Sequence, residues 1–241
     1  MKIVIFGANG GTGRLLTAQA LALGHAVTAL TRHPETFPMQ HDRLQVVRGD
    51  AFDAASVQAA VAGNDAVMST LGTPYTHKPI LLFSQGTGHI VQAMHEHGLR
   101  RLVCVSSSAT YPERNPDGGF FFEKVLQPFV INVLGKTLYA DLQRMETLVA
   151  NSDLEWVIAR PSGLFDTPAV TAYKTAEAHL NSRFTSRADL ADSMLRQLTS
   201  DQYVRKTMAV ATVDVKPSLV KLIWREGISK GMHRAPRPVA G

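Results

Sequence analysis

Three glycines near the start of the chain stand where a phosphate-binding loop would need them. Gly7, Gly10 and Gly13 lie at even spacing between an apolar run at 2–6, which predicts a buried strand, and a pattern that predicts a helix over 12–23. A strand that turns through glycines into a helix aims main-chain N–H groups and the positive end of the helix dipole at one point, which suits a phosphate. The other interpretation is a tight turn without a ligand.

The end of the second predicted strand indicates which dinucleotide the loop would hold. Folds of this kind that bind NAD carry an acid about 20 residues after the glycines, for the ribose hydroxyls. Here Thr31, Arg32 and His33 occupy that region, and Arg32 stands nineteen residues after Gly13. Because a guanidinium pairs bidentately with a phosphate, we expect NADPH rather than NADH, the alternative being a surface arginine. Arg14 opposes the helix dipole, so it favours a neighbouring anion unless it is merely solvated.

Polar or flexible residues also follow the next three predicted strands. Asp50 comes just after the third strand and could accept a hydrogen bond from an adenine amino group. Gly72 follows the fourth strand and would let the main chain approach a nicotinamide. Ser106 and Ser107 end the fifth strand, where hydroxyls would lie beside the nicotinamide or would simply cap the strand. Ligands bind at the carboxyl ends of parallel strands, so these residues form one candidate site.

Apolar runs predict seven strands, and the segments between them predict five helices. The strands are 2–6, 26–30, 44–47, 66–69, 101–105, 155–159 and 207–211, and the helices are 12–23, 53–62, 80–97, 137–151 and 187–199. Apolar strands alternating with helices indicate an α/β fold, a doubly wound parallel sheet of the Rossmann-like type. We expect one domain over 1–231, with a flexible tail at 232–241 and Asp53 as an N-cap.

Composition restricts the classes of function. Hydrophobic residues make up 45% of the 241 residues and charged residues 19%, as in an ordinary globular protein. The single cysteine, Cys104, excludes a disulfide within the chain, is expected to be a small buried residue, and favours a cytoplasmic location. The net charge of +5 is scattered, which suits anionic small molecules better than nucleic acid. We expect no metal, no membrane span, and a monomer or homodimer.

The motifs GANGGTG, TRHP, GDAFD, STLGT, VSSSA, ARPSG and SRADLA, in this order, resemble those of an atypical short-chain dehydrogenase/reductase. The resemblance extends over about residues 1–212 and is strongest to the NmrA-like group, in its biliverdin-IXβ reductase (flavin reductase) branch. It implies NADP(H) as cofactor and Ser107 as the catalytic residue. The residues that it implies for cofactor binding are Gly7, Asn9, Gly10, Gly11, Thr12, Gly13, Arg14, Arg32, His33, Asp50, Ala51, Leu71, Gly72, Thr73, Ser106, Ser107 and Pro161.

The chain departs from ordinary short-chain dehydrogenases in lacking their Tyr-x-x-x-Lys pair, in which the lysine prepares the tyrosine for acid–base work. Tyr139, for example, is followed four places on by Gln143. We therefore expect an NADPH-dependent reductase that passes hydride to a flat conjugated acceptor, such as a flavin, quinone or tetrapyrrole. The alternative is a non-catalytic NADP(H)-binding redox sensor. The segment 118–136, with three consecutive phenylalanines, is expected to form a flap over the substrate, a dimer contact or a core helix.

Overall fold

The computed structural model describes residues 1–111 and 130–214. Ten strands lie in these ranges: β1 (Lys2–Phe6), β2 (Ala26–Thr31), β3 (Leu44–Arg48), β4 (Ala66–Ser69), β5 (Arg101–Val105), β6 (Glu155–Pro161), β7 (Gly163–Phe165), β8 (Tyr173–Glu177), β9 (Phe184–Ser186) and β10 (Lys206–Thr212). The α-helices are α1 (Gly11–Ala22), α2 (Ala54–Val61), α3 (Leu82–Glu96), α4 (Lys136–Ala150) and α5 (Arg187–Arg196). None of the described helices is long and apolar enough to cross a membrane.

Eight of the strands form one sheet in the order β3-β2-β1-β4-β5-β6-β10-β8. The first seven run parallel, and β8 pairs with β10 in the antiparallel direction. Strand β1 lies at the point where the winding reverses, since Ile3 pairs with Val27 of β2 on one side and with Ala66 of β4 on the other. This confirms a doubly wound α/β sheet in a single Rossmann-like domain.

Helices cover both faces of the sheet. In β1, Val4 and Phe6 belong to a core cluster that includes residues of α2, α3 and α4, whereas Ile3 and Ile5 belong to a second cluster with residues of α1 and α5. Successive side chains of a strand point to opposite faces. Both faces of the central strands are therefore buried, which explains why these strands are apolar without alternation.

The seven predicted strands are confirmed, each with ends within two residues of those in the structure, but three further strands were missed. The missed strands are β7, β8 and β9. Strand β8 lies at the edge of the sheet with its residues half-buried or exposed, so it has no continuous apolar run. Strands β7 and β9 have three residues each and pair only with one another, which leaves too few positions for a pattern.

The five predicted helices are also confirmed, and two of their ends shift by more than one residue. The predicted helix 80–97 begins instead at Leu82, because the buried carboxylate of Asp141 accepts the main-chain N–H of Phe83. The predicted helix 187–199 ends at Arg196. Asp53 is confirmed as the N-cap of α2. The three phenylalanines of segment 118–136 and the tail at 232–241 lie outside the described residues.

Candidate functional site

The predicted site residues lie at one edge of the sheet. They follow the carboxyl ends of β1 to β6, which are neighbours in the order β3-β2-β1-β4-β5-β6. The groups are Gly7–Arg14 after β1, Arg32 and His33 after β2, Asp50 and Ala51 after β3, Leu71–Thr73 after β4, Ser106 and Ser107 after β5, and Pro161 at the end of β6. In folds of this type, a ligand binds across this edge near the switch point.

The glycine loop packs so closely against main chain that two of its positions have no room for a Cβ. Gly7 has φ +72°, and a Cβ on it would lie 2.5 Å from the carbonyl oxygen of Thr70. A Cβ on Gly13 would lie 2.2 Å from the carbonyl oxygen of Gly7. Gly10, the N-cap of α1, offers no side-chain acceptor, and the first turn contains no acid. The N–H groups that open α1 are thus left to an external anion, so these residues fit the diphosphate of an NAD(P)H cofactor.

Arg187 lies against the same loop, although the sequence analysis did not assign it to the site. Its Cδ and Nε atoms are 3.2 Å from the position that a Cβ on Gly11 would occupy. Its Nη1 donates to Asp166 Oδ1 at 2.9 Å, which fixes the guanidinium beside the start of α1. The position could have been anticipated, because Arg187 opens a helix and helices of a doubly wound fold begin at the carboxyl edge of the sheet. It carries a second cation to the predicted phosphate loop, beside Arg14.

A chain of hydrogen bonds joins the glycine loop to the end of β2. Arg14 Nε donates to Asn9 Oδ1 at 3.0 Å, and Asn9 Nδ2 donates to Thr36 Oγ1 at 2.9 Å. Thr36 Oγ1 in turn donates to the carbonyl oxygen of His33 at 2.9 Å. The loop that carries the predicted phosphate-binding residues of β2 is therefore held at a fixed distance from α1.

Positive charge at the end of β2 exceeds negative charge. Glu35 pairs with Arg48 at 3.0 Å and with His33 at 3.2 Å. Its own main-chain N–H, with smaller contributions from His33 and Arg48, holds the pKa of the Glu35 carboxyl below its usual value. The side chains of Arg14 and Arg32 are both exposed. They make no ion pair with an acid of the described residues, so they are available to an anionic ligand.

The residues after β3 and β4 close the other side of the candidate site. Asp50 Oδ1 accepts the main-chain N–H of Phe52 at 3.0 Å, and the side chain is half-buried. Ala51 is buried, and its carbonyl oxygen contacts His89 Nδ1 at 2.9 Å. The main-chain N of Leu71 would lie 2.9 Å from a Cβ on Gly7, so the β4 loop packs directly on the glycine loop.

The two serines after β5 have different environments. Ser106 is buried, donates its hydroxyl hydrogen to Glu146 and lies 3.1 Å from Thr110 Oγ1. Its side chain is thus committed within the protein, and the predicted cofactor contact of Ser106 would fall to its main chain. Ser107 is half-buried, and its Oγ accepts the main-chain N–H of Ala109 at 3.2 Å. Its hydroxyl hydrogen has no acceptor among the described residues.

A family model described as NAD(P)H-binding matches residues 7–201. The chain belongs to this NAD(P)H-binding family. Its members are oxidoreductase-like, which confirms the predicted resemblance and the predicted class of cofactor. An uncharacterized chloroplastic protein of Arabidopsis thaliana is 30% identical over 177 residues, which are 69% of this chain. They are 60% of the plant protein, so the chain spans less than two thirds of that relative.

Solved structures share the fold. A short-chain dehydrogenase/reductase of Veillonella parvula, in complex with NADP, superposes with a TM-score of 0.74 at 21% identity over 90% of this chain and 98% of its own. ChuY, an anaerobillin reductase of Escherichia coli, superposes with a TM-score of 0.71 at 23% identity over 90% of this chain and 100% of its own. At these identities the comparison establishes the architecture of the NAD(P)H-binding domain.

Proposed function

We propose that this chain is an NADPH-dependent reductase that passes hydride to a flat, conjugated acceptor such as a flavin, a quinone or a tetrapyrrole. The observation that carries the proposal is the environment of Ser107. Its oxygen is held by the N–H of Ala109, while its hydrogen stays available for a ligand. Ser107 follows β5, which lies between β4 and β6 in the sheet. The glycine loop follows β1, on the other side of β4, and β6 ends at Pro161. A hydroxyl after β5 can donate to an acceptor that lies over the nicotinamide.

When bound, NADPH supplies a hydride, so that the acceptor gains two electrons and a hydrogen while NADP⁺ is left, and a proton from solvent completes the reduction. Ser107 orients the acceptor by donating a hydrogen bond to it. Tyr139 does not form the ordinary tyrosine–lysine pair: its hydroxyl lies 3.1 Å from that of Tyr75, and Gln143, four places on, donates to the carbonyl oxygen of Thr110. A conjugated acceptor suits such a site, because delocalisation stabilises the charge that the hydride brings.

The preference for NADPH over NADH is part of the proposal. Arg32, with Arg14 and His33 nearby along the hydrogen-bonded chain, would hold the 2′-phosphate of the cofactor. Asp50 and Ala51 would contact the adenine, Leu71 to Thr73 and Pro161 the nicotinamide half, and Gly7 to Gly13 the diphosphate. A protein with the same fold, the short-chain dehydrogenase/reductase of Veillonella parvula, has been solved in complex with NADP.

The proposal is tested by following NADPH absorbance with purified protein and a panel of FMN, FAD, quinones and a biliverdin-type tetrapyrrole. We expect oxidation with one class of acceptor and a loss of turnover, at unchanged NADPH affinity, in Ser107→Ala. Ser200→Ala is a matched control, because Ser200 Oγ accepts the N–H of Gln202 at 3.3 Å in the same local geometry. Ser200 lies beside Arg101, at the opposite end of β5.

Either variant loses one hydrogen bond between a side chain and the main chain. A loss of turnover confined to Ser107→Ala would therefore identify the lost contact of the Ser107 hydroxyl with the acceptor as its cause. Equal rates in the two variants would remove Ser107 from the mechanism. No turnover with any acceptor, at saturating NADPH binding, would contradict the reductase proposal and favour a redox sensor that binds NADP(H) without chemistry.

A further inference from the structure

A small cleft, open to solvent, lies beyond the carboxyl ends of β5 and β6 and beside β10. Its lining includes Ser108, Tyr111, Arg160, Ser162 and His179. The cleft thus adjoins Ser108, the residue after Ser107, and the end of β6, on the side of the candidate site away from the residues that would hold the adenine. Its position suits an acceptor rather than the cofactor.

The wall formed by the turn after β8 has an unusual main-chain conformation. Ala178 has φ +62°, the left-handed region that a residue with a Cβ seldom adopts. Its N–H donates to the carbonyl oxygen of Thr207 at 2.9 Å, and the turn brings His179 and Leu180 to the cleft. Strain of this kind is found most often where a site needs a particular shape.

Arg160 belongs to the lining of the cleft, and a buried carboxylate holds it in place. Its Nε donates to Glu146 Oε1 at 3.1 Å, and its Nη2 donates to Glu146 Oε2. Its Cζ lies 4.8 Å from the centre of the Tyr111 ring, so one face of the guanidinium is covered. The Arg160 side chain is 16% exposed and that of Glu146 is 5% exposed. Ser106 also donates to Glu146 Oε1, so the carboxylate accepts three hydrogen bonds from side chains of the protein.

This pairing uses one edge of a planar group with five N–H donors. Nε and Nη2 form that edge, and Nη1 lies on the far side of the guanidinium. Within the described residues, Nη1 donates to no acceptor. An arginine fixed by a buried carboxylate and a ring loses little side-chain freedom when a ligand arrives, so its remaining N–H groups are prepared for an oxyanion.

We propose that Arg160 recognises an oxyanion, a carboxylate or a phosphate, on the acceptor, so that the substrate class is an anionic conjugated molecule rather than a neutral one. The inference rests on the proposed reductase function, whose acceptor it specifies. The pair of Arg160 and Glu146 is neutral overall, but the potential at Nη1 stays positive because the carboxylate lies at the opposite edge. Ser108 adds a hydroxyl to the same lining.

The test compares two pairs of acceptors that differ only in the anion: FMN with riboflavin for a phosphate, and biliverdin with its dimethyl ester for a carboxylate. Dissociation constants are measured by fluorescence quenching of the complex with NADP⁺, in which no hydride can be transferred, and KM is measured separately with NADPH. We expect the charged member of one pair to bind about tenfold more tightly, as for a charge-assisted hydrogen bond. The pair that responds identifies the anion.

The variant is the double substitution E146Q/R160Q. A single change at Arg160 would leave Glu146 buried without its counter-charge, whereas two amides keep a neutral, hydrogen-bonded pair. We expect this variant to bind both members of the responding pair equally, at the affinity of the uncharged one. Arg100→Gln is the matched control, since Arg100 Nε pairs with Glu155 Oε1 at 3.0 Å just before β5, at the opposite edge of the sheet. Should the double variant fail to fold, Arg160→Lys is tested instead. It keeps the positive charge but loses the planar set of N–H donors, so we expect it to reduce the preference for the charged acceptor.

The outcomes separate the two proposals. Equal binding of charged and uncharged acceptors by the unmodified protein, or a preference that persists in the double variant and in Arg160→Lys, would overturn the role of Arg160. Turnover of charged and uncharged acceptors with equal KM would overturn the role of Arg160 but would leave the reductase proposal standing. A preference in binding without turnover would overturn the reductase and leave the anion site.

Discussion

Replacing Arg32 with alanine tests whether the end of β2 holds the 2′-phosphate of NADPH. Hydrogen bonds to a charged group contribute about 1.5–3 kcal/mol. Because the Arg32 side chain is exposed and screened by salt, we expect the lower value, a loss of roughly tenfold in NADPH affinity. NADH has no 2′-phosphate, so its affinity should not change. Both dissociation constants are measured by calorimetry at low and at high salt, and the difference between them should shrink as salt rises.

Arg100→Ala is the control for a general loss of positive charge, since Arg100 is also exposed and precedes β5 at the opposite edge of the sheet. It should leave both affinities unchanged. A loss of NADH and NADPH binding by the same factor in Arg32→Ala would refute the reasoning, because it would assign Arg32 to the shape of the loop rather than to the phosphate. No loss of either would assign the phosphate to another cation.

Three further predictions concern the glycine loop and the core. Gly13→Ala should abolish binding of both dinucleotides, because its Cβ would collide with the carbonyl of Gly7. The same collision should cost roughly 1–3 kcal/mol of stability in thermal unfolding. Gly88→Ala is the control, since its Cβ would make an ordinary 3.5 Å contact and binding should be retained. Arg187→Ala should weaken NADH and NADPH equally, by roughly tenfold in calorimetry, and unequal losses would contradict a diphosphate role. Burial raises the pKa of the Cys104 thiol well above its usual range, so a thiol reagent should modify it only after unfolding, and rapid labelling of the native protein would contradict its burial.

Much of the fold was predictable because its central strands are buried on both faces. A strand such as β1 then consists of apolar residues alone, and it is followed by glycines that only a turn into a helix explains. The edge strand β8 lacks this signal, since its Lys174 and Glu177 are exposed and its partner β10 begins only at Lys206. The sequence therefore predicts which segments cross the core but not what completes the sheet at its margin.

The candidate site was predictable where its residues follow strands and not where they depend on distant partners. Arg160 meets Glu146 only because β6 lies beside β5 and α4 packs on their face, an arrangement that no local pattern in either segment reveals. The start of a helix at Arg187 is enough to place it at the carboxyl edge of the sheet, but its contact with Gly11 depends on the packing of α5 on α1. The sequence shows that each position is an arginine, but the role of each arginine depends on a contact between separate elements.

The serines after β5 show how such a contact changes the interpretation of a motif. Adjacent residues of an extended chain point in opposite directions, so Ser106 and Ser107 cannot both face the same partner. Glu146 lies on the side of Ser106 and accepts a hydrogen bond from its hydroxyl. The hydroxyl of Ser107 therefore remains as the one that can donate to a ligand. The carboxylate that fixes Arg160 in the cleft therefore also determines which serine can act. Replacing Glu146 alone should consequently disturb both the binding of the acceptor and the conformation of Ser106 and Ser107. The double variant E146Q/R160Q should disturb only the recognition of the anion.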